Sequence, residues 1–137
     1  VAINYESQDF VEDLKVRSIA PDVILDMVGG DYVARNLRCV AMNGRIVSIA
    51  FQKGSKVEID LLPVMLKRLT LTGSTLRPRT VAEKAEIAKS LEAKVWPLFL
   101  AGKCKPVIFK TFPLAEASEA HRLMESSQHV GKIILTV

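Results

Sequence analysis

The sequence has few of the residue types that mark metal centres, disulfide scaffolds or membrane spans. Its 137 residues include two cysteines and two histidines, and 6% of them are aromatic. Cys39 and Cys104 show no metal-ligand spacing and indicate no disulfide framework, which fits a reducing, cytoplasmic setting. No apolar run is long enough to cross a membrane. We therefore expect a cytoplasmic chain without a metal and without a membrane partner.

Charge and motif content narrow the function classes further. The sequence has 19 basic and 15 acidic residues, which gives a net charge of +4. Because it contains no run of like charges, it does not indicate a nucleic-acid-binding surface. The same mild excess suits an anionic small ligand. The sequence has no GxSxG elbow, no HExxH pair and no two acids that spacing brings together. Serine-hydrolase, zinc-protease and two-carboxylate chemistry are therefore not expected.

The stretch from residue 21 to residue 54 predicts a strand, a glycine turn, a helix and a second strand. Residues 22–28 are a short apolar run closed by a glycine pair, and residues 45–51 are a second apolar run. Between them, residues 31–43 carry apolar side chains at helical spacing, and Gly44 is expected to end this helix in the left-handed conformation. The apolar stripe comprises Val33, Leu37, Val40 and Ala41. This order is typical of a βαβ unit, whose ligands bind beyond the carboxyl ends of the strands, although the turns of a single unit are also compatible with ordinary connections.

The remaining segments continue the alternation of strands and helices that defines the α/β class. We expect a strand at residues 1–3, a helix between Asp9 and Pro21, a short helix at 60–68 and a strand at 69–75. A capping box of Thr80 and Glu83 opens a long helix that Pro97 should kink or split. The last elements are a strand at 107–112, a helix after Pro113 and a strand at 131–137. The expected buried residues include Ile19 in the first of these helices and Leu61, Leu62, Met65 and Leu69 in the short one. The long helix carries Ala88, Leu91, Val95, Leu98 and Phe99 on one face.

Three polar features could take part in chemistry. Asp26 ends a predicted buried strand, and we interpret its carboxylate as the acceptor for N–H groups of the glycine turn, with proton transfer as the alternative. Arg77 and Arg79 follow a predicted strand, where they either stay solvated or meet a phosphate or carboxylate. His121 and His129 are interpreted as surface or packing residues.

Several short motifs occur in a fixed order along the chain. DVILDMVGG begins at Asp22, GRIV at Gly44 and GSTLR at Gly73, followed by WPL at Trp96, PLxxAxxAH at Pro113 and GKI at Gly131. Across essentially the whole chain this combination resembles the C-terminal half of the quinone oxidoreductases, the zeta-crystallin-like branch of the medium-chain dehydrogenase/reductase superfamily.

The resemblance implies NADPH-dependent, zinc-free hydride transfer to quinones or other conjugated carbonyl compounds. It implies that residues 1–137 are a single domain, an incomplete Rossmann-type parallel sheet with flanking helices. The C-terminal strands would belong to a GroES-like domain. In the strand order 3-2-1-4-5-6, the strands near residues 22–28, 44–51 and 69–75 would be the fourth, fifth and sixth. Because the first strand would be missing, we expect a homo-oligomer joined through exposed sheet edges, or a rearrangement that covers the fourth strand.

The resemblance also assigns residues to the cofactor site. Tyr5 corresponds to the position that contacts the adenosine 2′-phosphate end of NADPH. Two segments correspond to the loops that border the nicotinamide half, and two C-terminal residues correspond to a position that closes over the cofactor. These are Ile49, Ala50, Phe51 and Gln52, then Thr75, Leu76 and Arg77, and finally His129 and Lys132.

Parts of the family pattern have no counterpart in this sequence. These parts are the glycine-rich pyrophosphate turn, the first two Rossmann strands and nearly all of the GroES-like catalytic domain. We therefore expect a piece of a longer enzyme that, by itself, binds NADPH weakly or not at all and is inactive. Two alternatives stay open: an enoyl reductase segment of a multidomain synthase, and a non-enzymatic module that binds partners through its sheet edges.

Overall fold

The chain folds into the alternating strands and helices of the α/β class, and its computed structural model describes residues 1–137. Two compact units follow one another, Val1–Arg79 and Thr80–Val137. The first contains α1 (Phe10–Val16), β1 (Val23–Asp26), α2 (Tyr32–Cys39), β2 (Arg45–Ser48), α3 (Leu62–Leu66) and β3 (Thr70–Gly73). The second contains α4 (Val81–Lys94), α5 (Trp96–Leu100), β4 (Ile108–Pro113), α6 (Ala117–Glu125) and β5 (Lys132–Thr136). None of the helices has both the length and the apolar character that a membrane span requires. The assignment of residues 1–137 to a single domain stays a prediction.

The three strands of the first unit lie side by side in chain order and are all parallel. This is the arrangement predicted for the fourth, fifth and sixth strands of a Rossmann sheet. The register pairs Asp26 with Ser48 and Ser48 with Gly73, so the carboxyl ends of the strands meet at one edge of the sheet.

A small apolar core lies between α2 and the sheet. Leu37 and Val40, two members of the predicted stripe, are buried together with Ile46 of β2. Each such side chain contributes about 1.5–3 kcal/mol when it is fully buried. Partly buried apolar residues pack around this cluster, among them Ile24, Ile59, Val64 and Leu69.

The end of α2 differs from its prediction. The helix ends at Cys39 instead of residue 43, because Val40 turns to an extended conformation with ψ at 144°. Asn43, with φ at 58°, is the left-handed residue, whereas Gly44 is not in that region. A Cβ on Gly44 would lie 2.5 Å from Val40 Cγ2 and 2.8 Å from the Ala41 carbonyl oxygen. The glycine is thus required for space and not for its backbone angle.

Lys67 satisfies the carbonyl groups that α2 leaves at its C-terminus. Its ammonium donates to the carbonyl oxygens of Leu37, Arg38 and Val40 at 3.0, 2.8 and 3.0 Å. An ammonium has three N–H donors, so all of them are used here. The positive charge also lies at the negative end of the helix dipole.

Asp9 caps α1 and connects it to α2. Its carboxylate accepts hydrogen bonds from the backbone N–H groups of Val11 and Glu12 at 2.8 and 3.2 Å. It also pairs with Arg35 of α2 at 3.0 Å, and the Arg35 guanidinium lies 4.3 Å from the centre of the Phe10 ring. The Glu12 N–H, together with the Val11 N–H and Arg35, lowers the pKa of Asp9.

Two predictions for the first 20 residues are wrong. Residues 1–3 form no strand, because a strand needs a neighbour and these residues make no backbone hydrogen bond. Helix α1 ends at Val16, well before Pro21, in a Schellman motif that donates from Ser18 N to Lys15 O and from Ile19 N to Leu14 O. Ile19 therefore leaves the helix and is exposed.

The short helix α3 presents a different face from the one predicted. Val64 and Leu69 pack against the core, whereas the side chains expected inward are exposed apart from Leu69. Those exposed residues are Leu61, Leu62 and Met65. With five residues α3 makes little more than one turn, so apolar spacing alone does not select its buried side.

The second unit follows its predicted elements closely. The capping box of Thr80 and Glu83 is present, and Pro97 separates α4 from α5 with Val95 between them. The five apolar residues predicted to share one face of the long helix are exposed, except for the partly buried Val95, and the ring of Phe99 meets that of Trp96 edge-on with the ring centres 6.2 Å apart. Strands β4 and β5 form a parallel pair. The buried apolar residues of this unit are Phe112 of β4 and Ala120 of α6.

Candidate functional site

A groove of about 660 Å³ opens at the carboxyl ends of β2 and β3. Its walls are residues 48–51, where the chain leaves β2, and residues 71–75, which end β3 and continue beyond it. Ligands of open parallel sheets bind at this edge, because the loops that follow neighbouring strands converge there. The groove is therefore the first candidate for a binding site.

The lining of the groove combines apolar side chains with hydroxyl groups. Ile49 and Phe51 are 44% and 50% exposed, so both present apolar surface to a ligand. Serine and threonine hydroxyls line the same walls at Ser48, Thr72, Ser74 and Thr75. The backbone N–H groups of Ala50 and Phe51 donate to no acceptor within the chain. Such a surface suits a flat, mostly apolar ring that carries a few hydrogen-bonding groups.

Four backbone hydrogen bonds attach the loop after β2 to the turn after β1. Ile49 N donates to the Asp26 carbonyl oxygen at 2.8 Å, Gln52 N to Met27 O at 3.3 Å and Lys53 N to Val28 O at 2.8 Å. In the opposite direction, Gly30 N donates to Gly54 O at 3.0 Å. The backbone of the groove wall is thus held in place from the side of β1.

Asp26 is buried beneath this turn, with 4% of its surface exposed. One carboxylate oxygen accepts from the N–H groups of Val28 and Gly29 at 2.8 and 3.1 Å, and the other accepts from the Asn36 side-chain amide at 3.2 Å. The predicted role as acceptor for the glycine turn is confirmed, although the donors are Val28 and Gly29. Asn36 was not predicted. Its position four residues before Val40 places the Asn36 amide on the buried side of the helix, and this spacing could have predicted that the amide needs a buried partner.

The groove brings together four of the ten predicted cofactor residues: Ile49, Ala50, Phe51 and Thr75. Gln52 is exposed just beyond it and contributes its N–H to the turn after β1. Leu76 and Arg77 follow Thr75 outside the lining, and Tyr5 is 71% exposed in a turn near the start of the chain. The sequence did not predict the parts of the wall formed by Ser48 and by residues 71–74. Ser48 ends β2, residues 71–73 end β3, and residue 74 is the first beyond it.

His129 and Lys132 belong to the second unit, which is described by itself. The Nδ1 atom of His129 is buried without a hydrogen-bond partner, and its ring meets that of Phe109 edge-on at 6.3 Å. Lys132 opens β5 and donates its N–H to the Val107 carbonyl oxygen at 2.7 Å. Their role at a cofactor stays a prediction.

The sequence family is decided by a match over nearly the whole chain. The model of a family described as zinc-binding dehydrogenase matches residues 1–135. The chain belongs to this family. Quinone oxidoreductase of Rattus norvegicus is 28% identical over 135 residues, which cover 96% of this chain and 39% of that protein. The predicted resemblance to quinone oxidoreductases of the medium-chain dehydrogenase/reductase superfamily is thereby confirmed.

Two further proteins place the chain in the same superfamily of oxidoreductases. The highly reducing polyketide synthase PKS6 of Gibberella zeae is 30% identical over 117 residues, which cover 85% of this chain and 4% of the synthase. A solved NAD-dependent alcohol dehydrogenase superposes with a TM-score of 0.74 at 27% identity, over 98% of this chain and 37% of that structure. The chain thus spans about two fifths of the length of the quinone oxidoreductase and about 4% of the length of the polyketide synthase.

The residues of this chain do not fit the zinc ion in the family description. No group of three or more histidine, cysteine or acidic side chains lies close enough to hold a metal. The Cys39 thiol donates to the Asn36 carbonyl oxygen at 3.6 Å, and burial raises its pKa, which opposes the thiolate that zinc binds. Cys104 is exposed in the other unit. Zinc-free chemistry remains our prediction.

Proposed function

We propose that this chain is part of an NADPH-dependent, zinc-independent reductase of quinones or other conjugated carbonyl compounds, and that its groove holds the nicotinamide half of the cofactor. The groove at the carboxyl ends of β2 and β3 is the observation that supports this function best. Bound NADPH supplies the hydride. Similarity to a quinone oxidoreductase and to an NAD-dependent alcohol dehydrogenase supports redox chemistry with a nicotinamide cofactor.

The residues of the groove would bind and orient the nicotinamide ring. Ile49 and Phe51 offer apolar surface to the ring and exclude water from it, and the unpaired N–H groups of Ala50 and Phe51 suit its carboxamide oxygen. Thr75 adds a hydroxyl on the opposite wall. Hydride transfer gains most from such fixed geometry, because orientation removes entropy from the barrier.

An enoyl reductase segment of a multidomain synthase is the second candidate. It is favoured by the 30% identity to the polyketide synthase, which exceeds the identity to the quinone oxidoreductase. Both candidates use the same groove and the same hydride donor and differ in the acceptor. A quinone and an enoyl thioester, offered separately to the complete gene product that carries these residues, distinguish them by the rate of NADPH oxidation.

A pair of matched substitutions tests the groove itself. Ala50→Leu places three extra carbon atoms in the groove and should raise the KM for NADPH by about tenfold or more, whichever acceptor is used. Ala93→Leu makes the same change on the exposed surface of α4 and should leave KM unchanged. Equal kinetics of the two variants would contradict the proposed site.

A further inference from the structure

The pair of Asp26 and Asn36 lies outside the groove lining, yet it governs the turn on which the groove wall rests. Both side chains are 4% exposed, and they meet through the bond from Asn36 Nδ2 to Asp26 Oδ2 at 3.2 Å. The other oxygen of Asp26 accepts from Val28 N and Gly29 N, so its position fixes two consecutive peptide groups. Asn36 in turn fixes the carboxylate, because α2 holds its backbone.

The turn transmits this position to Phe51 by direct packing. Gly29 has φ at +67°, and a Cβ built on it would lie 2.9 Å from Phe51 Cδ1 and 2.7 Å from the Gly54 carbonyl oxygen. The space between Gly29 and the ring of Phe51 is therefore too small for even a methyl group. On the next residue, a Cβ on Gly30 would lie 2.9 Å from the Lys53 carbonyl oxygen. Any displacement of the turn must move the loop that contains Phe51.

We propose that Asp26 and Asn36 are positioning residues for the nicotinamide cofactor, acting through the turn at residues 27–30 and the ring of Phe51. This inference rests on the proposed function, since it assigns the groove to that cofactor. The pair sets the height of residues 49–51 at the groove wall, so its loss moves the ring surface and the N–H groups of Ala50 and Phe51 together.

Three variants separate this role from general stability. Asn36→Asp sets two carboxylates against each other in a buried place, which should displace the turn. The double variant Asp26→Asn/Asn36→Asp restores the pair with its polarity exchanged. The amide oxygen at position 26 still accepts from Val28 N and Gly29 N, and the amide nitrogen donates to the carboxylate at position 36. Asn36→Ala, which adds no charge, serves if Asn36→Asp does not fold.

The control variant is Lys67→Met, which removes hydrogen bonds from the end of the same helix without touching Asp26. If the pair only stabilises the fold, Asn36→Ala and Lys67→Met should affect cofactor binding alike. If the pair of Asp26 and Asn36 positions the groove wall, Asn36→Ala and Asn36→Asp should weaken cofactor binding and Lys67→Met should not.

The measurement is a titration of the isotope-labelled 137-residue chain with NADPH, followed by the amide chemical shifts of Ala50, Phe51 and Thr75. This method also measures weak binding. We expect Asn36→Asp or Asn36→Ala to raise the Kd by about tenfold, in line with the effect of displacements near 1 Å. The Kd of the double variant should lie within about threefold of the Kd of the unsubstituted chain, and so should the Kd of Lys67→Met. A folded Asn36 variant with an unchanged Kd, or a double variant without recovery, overturns the proposal.

Hydrogen exchange of Gln52 and Lys53 gives a readout that needs no ligand. Their N–H groups bond to Met27 O and Val28 O, so exchange should accelerate in the Asn36 variants and recover in the double variant. If the unsubstituted chain shows no NADPH-induced shift, the same variants are titrated in the complete gene product, where absence of NADPH binding would contradict the proposed function, and the exchange rates decide independently whether the pair positions the loop. Unchanged rates in the Asn36 variants would then refute the positioning role as well.

Discussion

Replacement of Lys67 by methionine should reveal how much of the first unit depends on one ammonium group. Methionine keeps the apolar part of the side chain and removes the three hydrogen bonds to Leu37 O, Arg38 O and Val40 O. The bond to Arg38 O is exposed and is replaced by water at little cost. The bonds to Leu37 O and Val40 O are partly buried, and the loss of each should cost about 1.5 kcal/mol.

Two smaller effects modify this value. The favourable interaction of the charge with the helix dipole contributes about 0.5 kcal/mol, which is lost as well. Against this, the lysine chain is held in one conformation, and its release recovers about 1 kcal/mol of side-chain entropy. We therefore expect Lys67→Met to lower the free energy of unfolding by about 2 to 3 kcal/mol.

Urea denaturation of the variant and its parent measures this difference, with Lys56→Met as the control. Lys56 is an exposed lysine of the same unit without a hydrogen bond or ion pair, so its replacement should change the free energy of unfolding by less than about 0.5 kcal/mol. A Lys67→Met variant as stable as the Lys56→Met variant would refute the view that these carbonyl groups depend on the ammonium.

Four further predictions follow from the same structure and sequence. Gly44→Ala should destabilise the first unit by about 1 to 3 kcal/mol in urea denaturation, because its methyl group would overlap Val40. Elemental analysis of chain purified without chelator should find less than about 0.1 zinc per chain, since a zinc site needs three or four ligands. Titration calorimetry with NADPH should give a Kd well above about 1 μM for the 137-residue chain, and micromolar binding would contradict that expectation. Light scattering should detect a dimer or larger assembly, with exchange protection at residues 23–25 of β1; a stable monomer with rapid exchange there would show that the edge of β1 recruits no strand.

The sequence predicted most of the elements, because these depend on local signals, whereas the strand order was predicted from the family resemblance. The capping box of Thr80 and Glu83, the break at Pro97 and the apolar strands around Ile24 and Ile46 are each legible from a few neighbouring residues. Helix ends were less predictable. The glycine expected to end α2 instead relieves a contact with Val40, a distance that no local pattern encodes.

The groove was only partly predictable for a similar reason. Resemblance pointed to the loops after β2 and β3, and Ile49, Ala50, Phe51 and Thr75 do line one groove. Asn36, by contrast, is ten residues from the carboxylate it supports, and its role depends on how α2 packs over β1. The hydrogen bonds of Lys67 span about 30 residues and likewise depend on tertiary structure.

The contact between Gly29 and Phe51 also constrains how this sequence can change during evolution. A side chain larger than hydrogen at position 29 meets the Phe51 ring and the Gly54 carbonyl oxygen at once, and the positive φ adds a second penalty. A smaller residue at position 51 would relieve the contact with the ring, but the contact with the Gly54 carbonyl oxygen and the penalty of the positive φ would remain. A change at position 51 therefore requires no change at position 29, although it alters the groove surface, whereas a change at position 29 requires several compensating changes to come first. Diversification of the groove is thus expected to proceed through position 51, with the turn inherited unchanged.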